Sequence, residues 1–90
     1  MSNDVATVQR GGDFVEADAG DQTLMMSIAA QKYFALEGTG KRIWEMLAEP
    51  VTVDRIVDQL SREYDVPRDT CETHVAEFLD ELRRNGLLKG

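Results

Sequence analysis

The sequence predicts a single α+β domain: an N-terminal three-stranded antiparallel sheet followed by a three-helix, winged-helix-like core of helix-turn-helix type. Three observations carry this. Residues 14–36 hold three short runs rich in β-branched and aromatic residues, bounded by Gly and Asp turn signals. Residues 38–88 hold three apolar stripes of helical period, interrupted at Pro50 and Pro67. Strands first and helices after is the segregated order of α+β folds. At 90 residues there is room for one domain and one modest core.

Residues 1–12 open polar and end in Gly11-Gly12, so they read as a flexible arm, with Val5–Val8 either belonging to the first strand or competing with it. The strands are expected near 14–17, 23–28 and 31–36. In the third, side chains alternate, so Lys32, Phe34 and Leu36 face one way and Tyr33 and Ala35 the other. A first helix is expected over 40–48, capped by Thr39, with Ile43, Trp44 and Leu47 on its apolar face and Pro50 after it. A second is expected over 53–64. Thr52 caps it, Asp54 favours its dipole, and Val53, Ile56, Val57, Leu60 and Tyr64 form its stripe. The third is expected over 68–85, started by Pro67 or by Asp69 and Glu72 acting as a capping box. Its stripe is Cys71, Val75, Phe78, Leu79 and Leu82, and Gly86 stops it so that Leu87 and Leu88 fold back on the core.

Charge narrows the function. Seventeen acidic against ten basic residues give a net charge of −7. Partners held by phosphate charge are disfavoured, since nucleic-acid binding relies on Lys and Arg displacing counterions. Residues 69–82, where a recognition helix would read DNA, contain several acids and no Lys or Arg. An anionic membrane surface is disfavoured on the same grounds. No apolar run is long enough to span a bilayer or to form a signal peptide, and a reduced, cytoplasmic setting is expected. The lone cysteine, Cys71, excludes an internal disulfide. Cys71 and His74 are neighbours on one helix, but two ligands make no zinc site, and a cysteine in an apolar stripe behaves as a small hydrophobe. No catalytic set, metal or cofactor is expected.

Read together, three segments resemble PqqD-like proteins. Lys32-Tyr33-Phe34-Ala35-Leu36 running through Gly38-Thr39-Gly40 into Ile43-Trp44 and Leu47 looks like that family's strand-to-helix junction. Thr52, Val53, Ile56, Leu60 and Tyr64 are similar to its second helix, and Val75, Phe78, Leu79, Leu82, Gly86, Leu87 and Leu88 to its third. The resemblance covers about residues 14–88. It implies a non-catalytic recognition element for ribosomally made, post-translationally modified peptides (RiPPs). Such an element binds the precursor's leader peptide as an extra strand on the third strand, in a groove against the third helix, and presents it to a maturation enzyme. The Lys-Tyr-Phe-x-Leu strand and the Ile43-Trp44 pair look most like the standalone recognition protein of lasso-peptide clusters, which works with a leader peptidase. The alternative within the family is a PqqD-type chaperone for a radical-SAM enzyme in quinone-cofactor synthesis. There the junction often reads Leu-Asn, and here it reads Leu36-Glu37. Outside the family, the alternative is a winged-helix DNA-binding regulator.

An exposed edge strand suits peptide capture, because its unpaired N–H and C=O groups can take up an extended chain. The expected peptide-binding residues are Lys32, Tyr33, Phe34 and Ala35 on the strand and Cys71, His74, Val75, Phe78, Glu81 and Leu82 on the third helix. The expected partners are the leader peptide and a leader peptidase or other maturation enzyme. The chain itself is expected as a monomer, with an edge-strand dimer as the alternative.

Overall fold

The computed structural model describes residues 6–90. In chain order the elements are β1 (Gln9–Arg10), β2 (Phe14–Ala19), β3 (Gln22–Ser27), β4 (Lys32–Leu36), α1 (Gly38–Met46), α2 (Val53–Tyr64), α3 (Arg68–Arg84) and β5 (Leu88–Lys89). The α+β class holds: β2, β3 and β4 form an antiparallel sheet in that order, and three helices follow. No helix among the described residues is long and apolar enough to cross a membrane.

The β2–β3 hairpin pairs Phe14 with Ser27 through to Ala19 with Gln22, leaving Gly20-Asp21 as a two-residue turn. Gly20 takes a φ of +71° there, a conformation that costs glycine nothing. The β3–β4 hairpin pairs Ser27 with Lys32 and Thr23 with Leu36. Its loop is built on Ser27, a fully buried residue whose Oγ donates to the Asn85 carbonyl (2.8 Å) and accepts from the Ala30 amide (3.2 Å). This one hydroxyl ties the hairpin to the end of α3.

Two expectations change, and an alternative left open is settled. The sheet of three strands is joined by a second, two-stranded sheet in which β1 pairs with β5, and Val8 bridges to Val51. The expected flexible arm is thereby anchored over residues 8–12, with Val8 buried in the core. Val5 and the rest of residues 1–5 lie outside the described residues. Next, α1 begins at Gly38, with Glu37 rather than Thr39 at the cap and no side chain capping it. Gly38 reaches a φ of +57°, which turns the chain from strand into helix within two residues. Finally, α3 is capped by Pro67 and not by an Asp69–Glu72 box. Asp69 bonds the amide of its neighbour Thr70, and Glu72 turns to Arg68.

α2 forms over the expected residues because its signals agree. Thr52 Oγ1 accepts from the Arg55 amide at 3.1 Å, and Ile56, Val57 and Leu60 are buried. Asp65 takes the left-handed conformation that ends the helix, and residues 65–67 turn the chain into α3. The core lies between the sheet and the helices, centred on Trp44, Leu47, Ile56, Val57, Val75 and Leu87. Trp44 is held from three sides. Phe14 meets it edge-on at 5.2 Å, Arg10 stacks over it at 4.5 Å, and its Nε1 donates to Glu16.

Candidate functional site

The order β2-β3-β4 leaves β4 on an edge, and the end of α3 is tied to the neighbouring β3 through Ser27. Two contacts fix the direction. Near the C-terminal end of β4, the Phe78 ring lies 3.4 Å from where a β-carbon on Gly40 would stand. At the other end, Ser27, the partner of Lys32, bonds to Asn85. So α3 runs antiparallel to β4, with Phe78 toward the strand's C-terminal end and Asn85 toward its start.

The alternation along β4 decides what each wall offers. Phe34 pairs with the buried Met25, and Leu36 with the buried Thr23, so Lys32, Phe34 and Leu36 belong to the helix side of the sheet. Leu36 is buried, Phe34 is half-buried against the core, and Lys32 is exposed at the strand's start. Tyr33 and Ala35 pair with Met26 and Leu24 on the opposite, outer face. Tyr33 is 81% exposed. It cannot line a groove against α3. With Val15, Ala17, Leu24 and Met26 it lines a shallow apolar depression of about 350 Å³ on the far side of the sheet.

The expected α3 residues divide as well. Val75 and Leu82 are 0% and 2% exposed, so both are core residues that present no surface. Phe78 is half-buried, while His74 and Glu81 are exposed. Cys71 is buried, and its Sγ donates weakly to the Val57 carbonyl at 3.7 Å. Burial pushes this thiol's pKa up, which keeps it protonated and a poor nucleophile. Among the described residues, no three His, Cys, Asp or Glu side chains are placed to hold a metal ion.

A pocket of about 270 Å³ opens where α1 begins. Thr39, Gly40 and Ile43 of α1 form one side, Leu60, Tyr64 and the following Val66 a second, and Cys71, His74, Glu77 and Phe78 of α3 the third. Of these ten residues, sequence reasoning had placed only Cys71, His74 and Phe78 at a site. One signal for the rest was available: a glycine inside a helix is unfavourable, and Gly40 stands opposite the Phe78 ring at this pocket. The outward side of α3 is acidic. Arg68 is drawn to Asp54, Asp58 and Glu72, and Arg84 to Asp80, which leaves Glu77 and Glu81 without ion pairs among the described residues. That surface is unsuited to a phosphate backbone.

The family described as Coenzyme PQQ synthesis protein D (PqqD) matches residues 22–88. Among solved structures, the chain is similar to TbiB1 in complex with the TbiA(beta) leader peptide, with 33% identity and a TM-score of 0.81 over 91% of this chain and 95% of that one. Its fold is also that of a lasso peptide synthetase B1 complexed with the leader peptide, at 20% identity and a TM-score of 0.80, covering 94% and 100% of the two chains. The PqqD truncation of Methylobacterium extorquens PqqCD, a stand-alone RiPP recognition element, shares the fold at 14% identity and a TM-score of 0.73 over 93% and 89%. No curated protein matches the chain.

Proposed function

The chain belongs to the PqqD family, and on that premise we propose that it is a non-catalytic recognition protein that captures the leader peptide of a ribosomally made precursor. The leader adds as a strand to β4, lies in the groove against α3, and is presented to a maturation enzyme. A lasso-peptide leader peptidase fits best. The observation that carries this reading is the free edge of β4, with Phe34 on that strand and Phe78 on α3 both half-buried against the core. Support for the lasso assignment comes from the Lys32–Leu36 strand, the Ile43-Trp44 pair and the 33% identity to TbiB1, whose structure holds a leader peptide. A role without catalysis is supported by the buried, protonated Cys71 thiol.

Energetics say what the site must supply. Each backbone hydrogen bond nets roughly 0.5–1.5 kcal/mol. Even five of them, less the cost of ordering a peptide, fall short of the roughly 8 kcal/mol of micromolar binding. Apolar side chains must add the rest, at roughly 25 cal/mol per Å² removed from water. An added strand would reach both faces, because its side chains alternate. One set meets Phe34 and Phe78, and the other extends the outer patch beside Tyr33.

The test is a titration of ¹⁵N-labelled protein with the synthetic leader of the precursor encoded beside this chain's gene. Amide shifts confined to β4, Glu37 and the exposed side of α3 are expected. Shifts on β2, or none at high micromolar peptide, would overturn the proposal.

A further inference from the structure

The pocket at the start of α1 is continuous with the β4 edge. Leu36 ends the strand, only Glu37 separates it from α1, and Thr39 and Gly40 form the pocket's near side. A chain paired with β4 and extended past Leu36 at roughly 3.3 Å per residue reaches the mouth within about three or four residues. The walls supply apolar surface from Ile43, Leu60, Val66 and Phe78. One carboxylate, Glu77, stands among them, and no Lys or Arg does. Glu77 is exposed and has no ion pair among the described residues. His74 also lines the pocket, and the start of α1 adds about half a unit of positive charge, so Glu77 is the one full negative charge among the lining residues. An apolar sleeve with a carboxylate at its mouth matches a side chain that is apolar along its stem and cationic at its tip.

Resting on the strand-addition reading above, we propose that this pocket takes up a Lys or Arg side chain of the leader and seats its charged group on Glu77. The rest of the sheet is antiparallel, and an added strand that keeps this pattern runs opposite to β4. The basic residue then lies about two to four positions N-terminal to the paired segment. This gives the groove a direction and a register, which backbone pairing alone specifies weakly.

The experiment measures fluorescence-polarisation affinities of the same synthetic leader for the wild type, Glu77→Gln, Glu77→Lys and, as a carboxylate outside the pocket, Glu49→Gln. An alanine scan of the leader is run against the wild type and Glu77→Gln. Glu77→Gln is expected to weaken binding about 3- to 10-fold, as for a partly desolvated ion pair, with a larger loss for Glu77→Lys and none for Glu49→Gln. In the scan, one Lys or Arg should matter to the wild type and lose its effect in Glu77→Gln. If the wild type binds and both Glu77 variants bind equally well, the inference falls while leader capture stands. The same holds if the residue coupled to Glu77 is acidic or purely apolar. If the wild type does not bind the leader, both fall. Circular dichroism of each variant separates loss of binding from loss of fold, and none is expected because Glu77 is exposed.

Discussion

Gly40 sets stability and binding against each other. It lies in the first turns of α1, and a β-carbon there would meet the Phe78 ring at 3.4 and 3.8 Å, a contact the ring can accept with little movement. Replacing a helical glycine by alanine removes unfolded-state freedom and is worth about 0.5–1 kcal/mol. For a domain of this size that raises Tm by about 2–8 °C. The same methyl group narrows the mouth of the 270 Å³ pocket. Gly40→Leu goes further and fills it. Forcing a bulky side chain against an occupied pocket costs about 1–3 kcal/mol, or roughly 5- to 150-fold in affinity. Thermal melts by circular dichroism and peptide titrations on the same samples read both effects. Gly40→Ala should melt higher than the wild type, and Gly40→Leu should stay folded and bind the leader more weakly. A lower melting point for Gly40→Ala would mean that Phe78 cannot yield, and that glycine is there for close packing. A folded Gly40→Leu with unchanged affinity would remove the pocket from the binding site altogether.

Other substitutions separate core from surface. Leu82→Ala opens a cavity at a residue 2% exposed and should cost about 2–5 kcal/mol by denaturant melts, whereas Glu81→Ala, one position away and exposed, should leave the midpoint within about 0.5 kcal/mol. Glu16→Ala removes the acceptor of the Trp44 indole N–H at 3.1 Å, and stranding that buried donor should cost about 1–3 kcal/mol and shift the tryptophan fluorescence. Glu63 is held below its ordinary pKa first by the hydrogen bond from Arg42 and then by that from Gln59. Its contribution is therefore present above the unfolded carboxylate range and lost as pH falls through the folded value. Glu63→Gln should flatten that part of the stability–pH curve and leave the neutral-to-alkaline part unchanged in shape. Cys71, whose thiol is raised by burial, should resist a thiol reagent at mildly alkaline pH and react at the rate of global unfolding.

What the sequence disclosed was local. The stripe of α2 and its Thr52 cap were legible because period and cap chemistry agree, and the helix forms over the expected residues. The alternation of β4 was legible for the same reason, and it placed Tyr33 opposite Phe34. What escaped depends on distant partners. β1 and β5 have two residues each, too few for a pattern, and exist because Val8, 43 positions from Val51 by number, closes over the core. The roles within the α3 stripe escaped too. Val75, Phe78 and Leu82 share one helical face, yet only Phe78 reaches the surface, and the packing of α1 and the sheet against α3 decides which. Glu16 carried no signal in the sequence. It faces inward because the Trp44 indole needs an acceptor and Arg10 neutralises the pair.

The same glutamate bears on why one edge of the sheet is readable and the other is not. A three-stranded sheet has two edges, and each is a template for another chain. On β2, Glu16 turns its carboxylate toward the core, tied to Trp44 and Arg10, and Asp18 engages Lys41 23 positions away in sequence. Inward-pointing charge and edge acids are the devices that keep foreign strands off an edge. β4 has neither. Its one charged residue, Lys32, stands at the end of the strand, and the segment from Tyr33 to Leu36 is uncharged. An edge of this kind invites aggregation unless something restricts what can pair with it. Here the restriction is geometric: α3 stands alongside, Gly38 ends the strand after five residues, and the acids of α3 repel a second copy of this acidic chain. Glu16→Val should therefore do more than destabilise. By making β2 as open as β4, it should raise concentration-dependent self-association above the wild type's in sedimentation velocity. A variant that associates no more than the wild type would show that β2 is protected by something other than its charge.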